Sequence, residues 1–144
     1  MSFIKKQSKV IFICTGNSAR SIMGEMAANT LTNHKFIGYS AGSNPTGAIN
    51  SAALSVAEDI GYPTETLTSK NIDLFLGDKY YFDLSITVCD NAKDNCPVFL
   101  NSAQALHWSY PDPADITDFE SRKIKLLEIY HDLGKRLEQL CKND

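Results

Sequence analysis

The sequence predicts an α/β fold on a parallel sheet, and three observations carry that expectation. Short apolar runs alternate along the chain with longer segments of helical periodicity. The first run, Val10-Ile11-Phe12-Ile13, is apolar at every position, as a strand buried on both faces requires. Turn-forming clusters punctuate the chain between these segments, at Gly42-Ser43-Asn44-Pro45, at Gly61 with Pro63, and at Pro111-Asp112-Pro113.

The elements follow in order. The first strand ends at Cys14. Ile22, Met23, Met26, Ala27 and Leu31 then recur at roughly helical spacing, which predicts a helix over 21–31 ending near Asn33. Residues 36–41 read as the second strand. Asn50 or Ser51 is a cap for a helix carrying Ala52, Ala53, Leu54, Val56, Ala57 and Ile60, stopped by Gly61 and Pro63. A short helical or irregular piece covers 72–76. The third strand, 84–88, is rich in β-branched residues and ends at Cys89. A fourth short strand is expected near 105–108. The last helix runs from Thr117 or Asp118 to Leu140, with Ile124, Leu127, Tyr130, Leu133, Leu137 and Leu140 as its core-facing stripe.

Size and charge bound the function. A chain of 144 residues predicts one domain spanning 1–144, able to bury about two thirds of its unfolded surface. A formal net charge of −3 gives no reason to expect nucleic acid. Lys5, Lys6 and Lys9 precede an apolar run, but that run stops after about five residues, short of a secretory signal. No stretch reaches the ~18 apolar residues of a membrane span. A soluble, cytoplasmic monomer is expected. The four cysteines, Cys14, Cys89, Cys96 and Cys141, then argue for nucleophilic or redox chemistry rather than a disulfide framework. Cys89 and Cys96 are too far apart for the usual Cys-x2–4-Cys zinc spacing, and Cys141, in a charged tail, reads as inert.

Three stretches carry chemistry. In Cys14-Thr15-Gly16-Asn17-Ser18-Ala19-Arg20-Ser21 a polar loop joins a strand end to a helix N-terminus, where outward N–H groups and the helix dipole favour an anion. Gly16 and Asn17 tolerate the positive φ that a loop wrapping an oxyanion needs. The same N–H groups and Arg20 would favour the Cys14 thiolate, although a lone cysteine after a buried strand is most often a small core hydrophobe. In Cys89-Asp90-Asn91-Ala92-Lys93-Asp94-Asn95-Cys96-Pro97 the intervening residues hold little apolar surface, so the segment could rearrange cheaply. With Cys14 and Cys89 both following strands of one sheet, three cysteines suggest a thiol relay. In His107-Trp108-Ser109-Tyr110-Pro111-Asp112-Pro113 two prolines fix the backbone around Asp112, a candidate acid for a leaving oxygen. An Asp-Pro turn alone is more often structural, and so is His107.

The Cys14–Ser21 loop resembles the phosphate loop of low-molecular-weight protein tyrosine phosphatases. Together with Cys89-x6-Cys96-Pro97 and with His107-Trp108 leading to Asp112-Pro113, the chain resembles the thioredoxin-coupled arsenate reductases of that superfamily. The resemblance implies a four-stranded parallel sheet flanked by helices on both faces. It implies that Thr15, Gly16, Asn17, Ser18, Ala19, Arg20 and Ser21 bind arsenate, with phosphate or sulfate as analogues. Cys14 would attack the arsenate and Asp112 would act as general acid. Cys89 and then Cys96 would carry the disulfide to thioredoxin, or to glutaredoxin as in some relatives. Ser21 would hydrogen-bond the thiolate and Asn17 would hold the strained loop. The alternative is a phosphatase hydrolysing phosphomonoesters through a phosphocysteine, which needs neither later cysteine. A non-catalytic oxyanion binder is a third reading, with no use for a nucleophile or an acid.

Two departures from the family pattern stand out. Some relatives carry a second cysteine before the loop arginine, where this chain has Ala19. Some bind potassium near the loop, and Asn17, Glu25 and Ser40 stand where its ligands would be, but Lys70 takes the place of a carboxylate. No tightly bound cofactor and no metal are therefore expected, the Lys70 ammonium standing in for the cation.

Overall fold

The computed structural model describes residues 7–77, 80–88 and 102–142. Four strands, β1 (Ser8–Cys14), β2 (Phe36–Gly42), β3 (Phe82–Thr87) and β4 (Ser102–His107), form one sheet in the order β2-β1-β3-β4. Every pairing is parallel. The unbroken apolar run of β1 takes an interior place in the sheet, and Val10 to Cys14 are at most 3% exposed. From β1 the chain passes first to β2 on one side and later to β3 on the other. The carboxyl end of β1 is thus a topological switch point, where open α/β sheets leave a crevice. Cys14 ends β1 at that point, opposite Gly42 of β2, one residue beyond the Ile13–Thr87 pair.

Three α-helices, α1 (Arg20–Thr30), α2 (Ser51–Asp59) and α3 (Phe119–Lys142), and three short 3-10 helices, Thr64–Thr66, Ile72–Phe75 and Pro113–Asp115, complete the described fold. α1 packs on β1 and β2, and α3 packs on both α1 and α2. Gly24 lets α1 lie directly on β1, since a Cβ there would fall 2.4 Å from the Phe12 ring. α2 is capped as the sequence implies, Asn50 Oδ1 accepting from the Ala52 N–H at 2.9 Å. α1 has no side-chain cap at Ala19, so its first N–H groups are left for another acceptor. No helix among the described residues is long and apolar enough to cross a membrane.

The structure corrects several expectations. β3 begins at Phe82 and β4 covers 102–107 rather than 105–108. Ser102 and Gln104 pair with Phe82 and Leu84, so backbone pairing to an existing strand, not apolar content, sets where this edge strand starts. α1 opens at Arg20, and α3 opens at Phe119 with Asp118 Oδ2 accepting from the Ser121 N–H at 2.9 Å. The buried stripe of α3 is Leu126, Ile129, Tyr130, Leu133, Gly134 and Leu137. Ile124 is 58% exposed, because it lies two residues before Leu126, about 200° round the helix. Leu127 and Leu140 sit half-buried at the edge of the stripe.

Candidate active site

The loop after β1 is held from outside by its own carbonyls. Those of Cys14, Thr15, Gly16 and Ser18 accept from the N–H groups of Ser43, Asn44, Thr46 and Asn50 at 2.9–3.1 Å, and Ser69 Oγ also donates to Gly16 O at 2.9 Å. A trans peptide points its N–H opposite its C=O. Outward carbonyls at 14, 15, 16 and 18 therefore turn the N–H groups of Thr15, Gly16, Asn17 and Ala19 inward. Asn17 confirms the sense, its N–H donating to Cys14 Sγ at 3.2 Å. β2 approaches closely at this point, and a Cβ on Gly42 would lie 2.5 Å from Thr15 O.

Asn17 holds the curvature. It adopts φ +47°, which costs little for asparagine among non-glycine residues, and it is fully buried. The Lys70 N–H donates to its Oδ1 at 2.7 Å, and its Nδ2 donates to Ser21 Oγ at 2.8 Å. Ser21 Oγ lies 2.9 Å from Cys14 Sγ. A hydroxyl that accepts from Asn17 still has its own proton to give. A Cys14 thiolate would thus accept from both Ser21 Oγ and the Asn17 N–H, an arrangement that favours the thiolate.

Across the cleft, Arg20 Nη1 donates to Tyr110 O at 3.0 Å and Nη2 lies 3.7 Å from Asp112 Oδ2. Cys14, Thr15, Gly16, Ser18, Ala19, Arg20 and Asp112 line one cleft of about 300 Å³. Asn17 and Ser21 are buried behind it. Asn44, Thr46 and Asn50 complete its lining, a contribution absent from the expected site. The available signal was positional, because they follow β2 at the same sheet edge. His107 bonds Thr87 Oγ1 across the β3–β4 pair at 2.5 Å, in keeping with a structural role. Cys89 and Cys96 lie outside the described residues. Val88, immediately before Cys89 in sequence, donates its N–H to Ile13 O at 2.9 Å, beside the end of β1.

Behind the loop, Lys70 Nζ donates to Thr68 O at 2.7 Å and to Ser40 Oγ at 3.4 Å, and lies 3.7 Å from Glu25 Oε1. Ser40 Oγ donates in turn to Glu25 Oε1 at 2.5 Å. Burial pushes the Glu25 carboxyl up, and Lys70 pulls it part-way back. Burial pushes the Lys70 ammonium down, and Glu25 opposes this. Glu25 Oε1, Ser40 Oγ and Asn17 Oδ1 thus each accept a hydrogen bond or face the Lys70 ammonium.

Residues 9–143 match the family model for low molecular weight phosphotyrosine protein phosphatase. The chain belongs to this family. Its curated relatives within the family include arsenate reductases. One from Halalkalibacterium halodurans is 33% identical, covering 90% of this chain and 91% of its own. Another from Bacillus subtilis is 32% identical, covering 94% and 96% respectively. A solved arsenate reductase in the phosphate binding state superposes with a TM-score of 0.72 at 27% identity, covering 94% of this chain and 98% of its own. The four-stranded parallel sheet with its packed helices is the fold of this family.

Proposed function

We propose that this protein reduces arsenate to arsenite through a three-cysteine relay. The supporting observation is the convergence of the Cys14 sulfur, the inward loop N–H groups, Arg20 and Asp112 on one cleft, in a chain whose relatives are arsenate reductases. The lining is small and polar among the described residues, which suits a hydrated tetrahedral oxyanion.

The Cys14 thiolate attacks arsenic. One As–O bond breaks, and Asp112 protonates the departing hydroxyl, which leaves as water. Arg20, the loop N–H groups and the uncapped start of α1 neutralise the remaining oxygens. Cys89 then attacks the Cys14 sulfur. A Cys14–Cys89 disulfide forms while the S–As electron pair stays on arsenic, so As(V) leaves as arsenite. Cys96 attacks Cys89 and frees Cys14. The Cys89–Cys96 disulfide is reduced by thioredoxin, with glutaredoxin as an alternative dithiol donor. The roles of Cys89 and Cys96 rest on their sequence positions.

Thioredoxin-coupled NADPH consumption with arsenate tests the relay. Wild type turns over, Cys89→Ser and Cys96→Ser do not, and both variants retain a weak hydrolysis of aryl phosphates. Variants that still turn over with arsenate would exclude the relay. A wild type that hydrolyses aryl phosphate but ignores arsenate would assign the site to phosphomonoesters. We further propose that no tightly bound cofactor is needed, Lys70 supplying the positive charge behind the loop. Equal rates in potassium and sodium at one ionic strength are expected, and strong activation by potassium would refute the assignment.

A further inference from the structure

We infer that Asp132 and Arg136 of α3 are positioning residues that hold the Trp108–Asp112 strap, and through it the acid Asp112, against Arg20. The inference rests on the proposed role of Asp112. Neither residue lines the Cys14 cleft. Tyr110 Oη donates to Asp132 Oδ2 at 2.6 Å, and Arg136 Nε lies 3.2 Å from the same oxygen. The Arg136 guanidinium stands 5.4 Å from the Trp108 ring centre and 5.3 Å from that of Tyr110, within range of cation–π attraction to both. One carboxylate and one guanidinium thereby fix two alternate residues of the strap.

What they fix is connected to the chemistry. The Tyr110 carbonyl accepts from Arg20, and Asp112 follows after a single proline. Upstream of Asp112 the strap is tied by the Trp108 N–H to Thr87 O at 2.8 Å and the Tyr110 N–H to Val88 O at 3.2 Å, and the Asp112 carbonyl accepts from the Asp115 N–H at 3.3 Å in the turn that follows. The side-chain anchorage at Tyr110 lies two residues before the acid. Burial and the bond to Asp132 push the Tyr110 phenol well above its ordinary range, so it remains a proton donor. Tyr110 and Asp132 line a cleft of about 450 Å³ on the α3 side, whose lining includes neither Cys14 nor Asp112.

The test is a mutant cycle on arsenate turnover. Tyr110→Phe and Asp132→Asn each lower kcat about tenfold while KM stays within twofold, as a displaced acid requires. The double variant loses no more than either single one. In an Asp112→Asn background Asp132→Asn costs nothing further, because there is no acid left to place. Asp132→Glu recovers part of the loss, and Glu128→Gln, in the same α3 cleft, matches wild type. The single tryptophan, Trp108, reports the clamp directly, and its emission shifts in Arg136→Gln. Unchanged kcat in Asp132→Asn, or an equal loss in the Asp112→Asn background, would overturn the inference. Should wild type lack arsenate turnover, the reductase reading fails alone. The same cycle on phenyl phosphate hydrolysis, which uses the same acid, then decides the positioning role.

Discussion

The nucleophile wall of the cleft is sealed, whereas the acid wall is suspended. On the first, Asn17 and Ser21 are fully buried, and loop carbonyls, the Asn17 amide and the Cys14 sulfur are tied to neighbouring segments. On the second, the Asp112 side chain is 48% exposed and sits 3.7 Å from Arg20 at the end of a proline-bounded strap. A thiolate needs fixed donors at all times, and burial supplies them. An acid that must give and regain a proton needs solvent, and exposure supplies that. Substitutions on the first wall that remove its buried hydrogen bonds should thus damage fold and chemistry together. Those on the second should damage chemistry alone.

The largest effect is expected at the sulfur. Cys14→Ser should remove all measurable arsenate turnover, a loss beyond about 10⁴-fold, because a hydroxyl at that position lacks the thiolate's nucleophilicity. Its urea midpoint should stay close to wild type, since the oxygen can still accept from the Asn17 N–H. Residual turnover within tenfold of wild type would move the nucleophile elsewhere. Next comes Asp112→Asn, predicted to lower kcat about 10²–10³-fold by removing general-acid assistance. Its thermal midpoint should be unchanged, as a half-exposed pair contributes little. A drop in stability would show that the second wall is structural after all.

Asn17→Ala joins the two consequences. It deletes the amide that orders Ser21 and places a residue less tolerant of φ +47° in a buried turn. The expected cost is about 2–3 kcal/mol of stability with a kcat loss of about tenfold to a hundredfold. Asn17→Gly separates the causes, since it accepts the backbone angle but restores no hydrogen bond. Urea denaturation and kcat on both variants measure the split. Stability recovered in part, without activity, is the expected outcome in Asn17→Gly.

The legibility of these walls differed in the same way. Each strand and helix was readable, as was the loop, because burial of β1 writes itself as an unbroken apolar run and the loop as Gly-Asn between strand and arginine. Edge strand β4 was misplaced because it is held by backbone pairing that no side chain records. Ile124 is exposed although its sequence spacing suits the core, because an apolar residue looks alike on either face of a helix, and only the partner decides. Asn44, Thr46 and Asn50 went unread because their contribution depends on β2 lying beside β1, a fact of topology. The tie from Tyr110 to Asp132, 22 residues apart, is likewise invisible until α3 is placed.

The smallest expected effect tests what stands behind the sealed wall. Burial holds the Glu25 carboxyl above its ordinary value of 4.5, against the opposing pull of Lys70. The folded chain therefore binds the Glu25 proton more tightly than the unfolded chain does. Stability contributed by that proton is lost as pH climbs from about 4.5 through the raised folded value. Lys70→Met removes the opposing charge, so Glu25 should rise further and the decline should extend to higher pH. Well below pH 4.5, with Glu25 protonated in both proteins, wild type and variant should differ little. Near pH 8 the carboxylate must ionise without its ammonium, and the gap should widen to about 1–2 kcal/mol, modest because Lys70 keeps some solvent contact. Urea midpoints of both proteins across this range measure the difference, in which the titrating groups common to both cancel. A gap that stays flat with pH would mean that Lys70 does not serve as the counter-charge of Glu25, and that the wall's charge balance lies elsewhere.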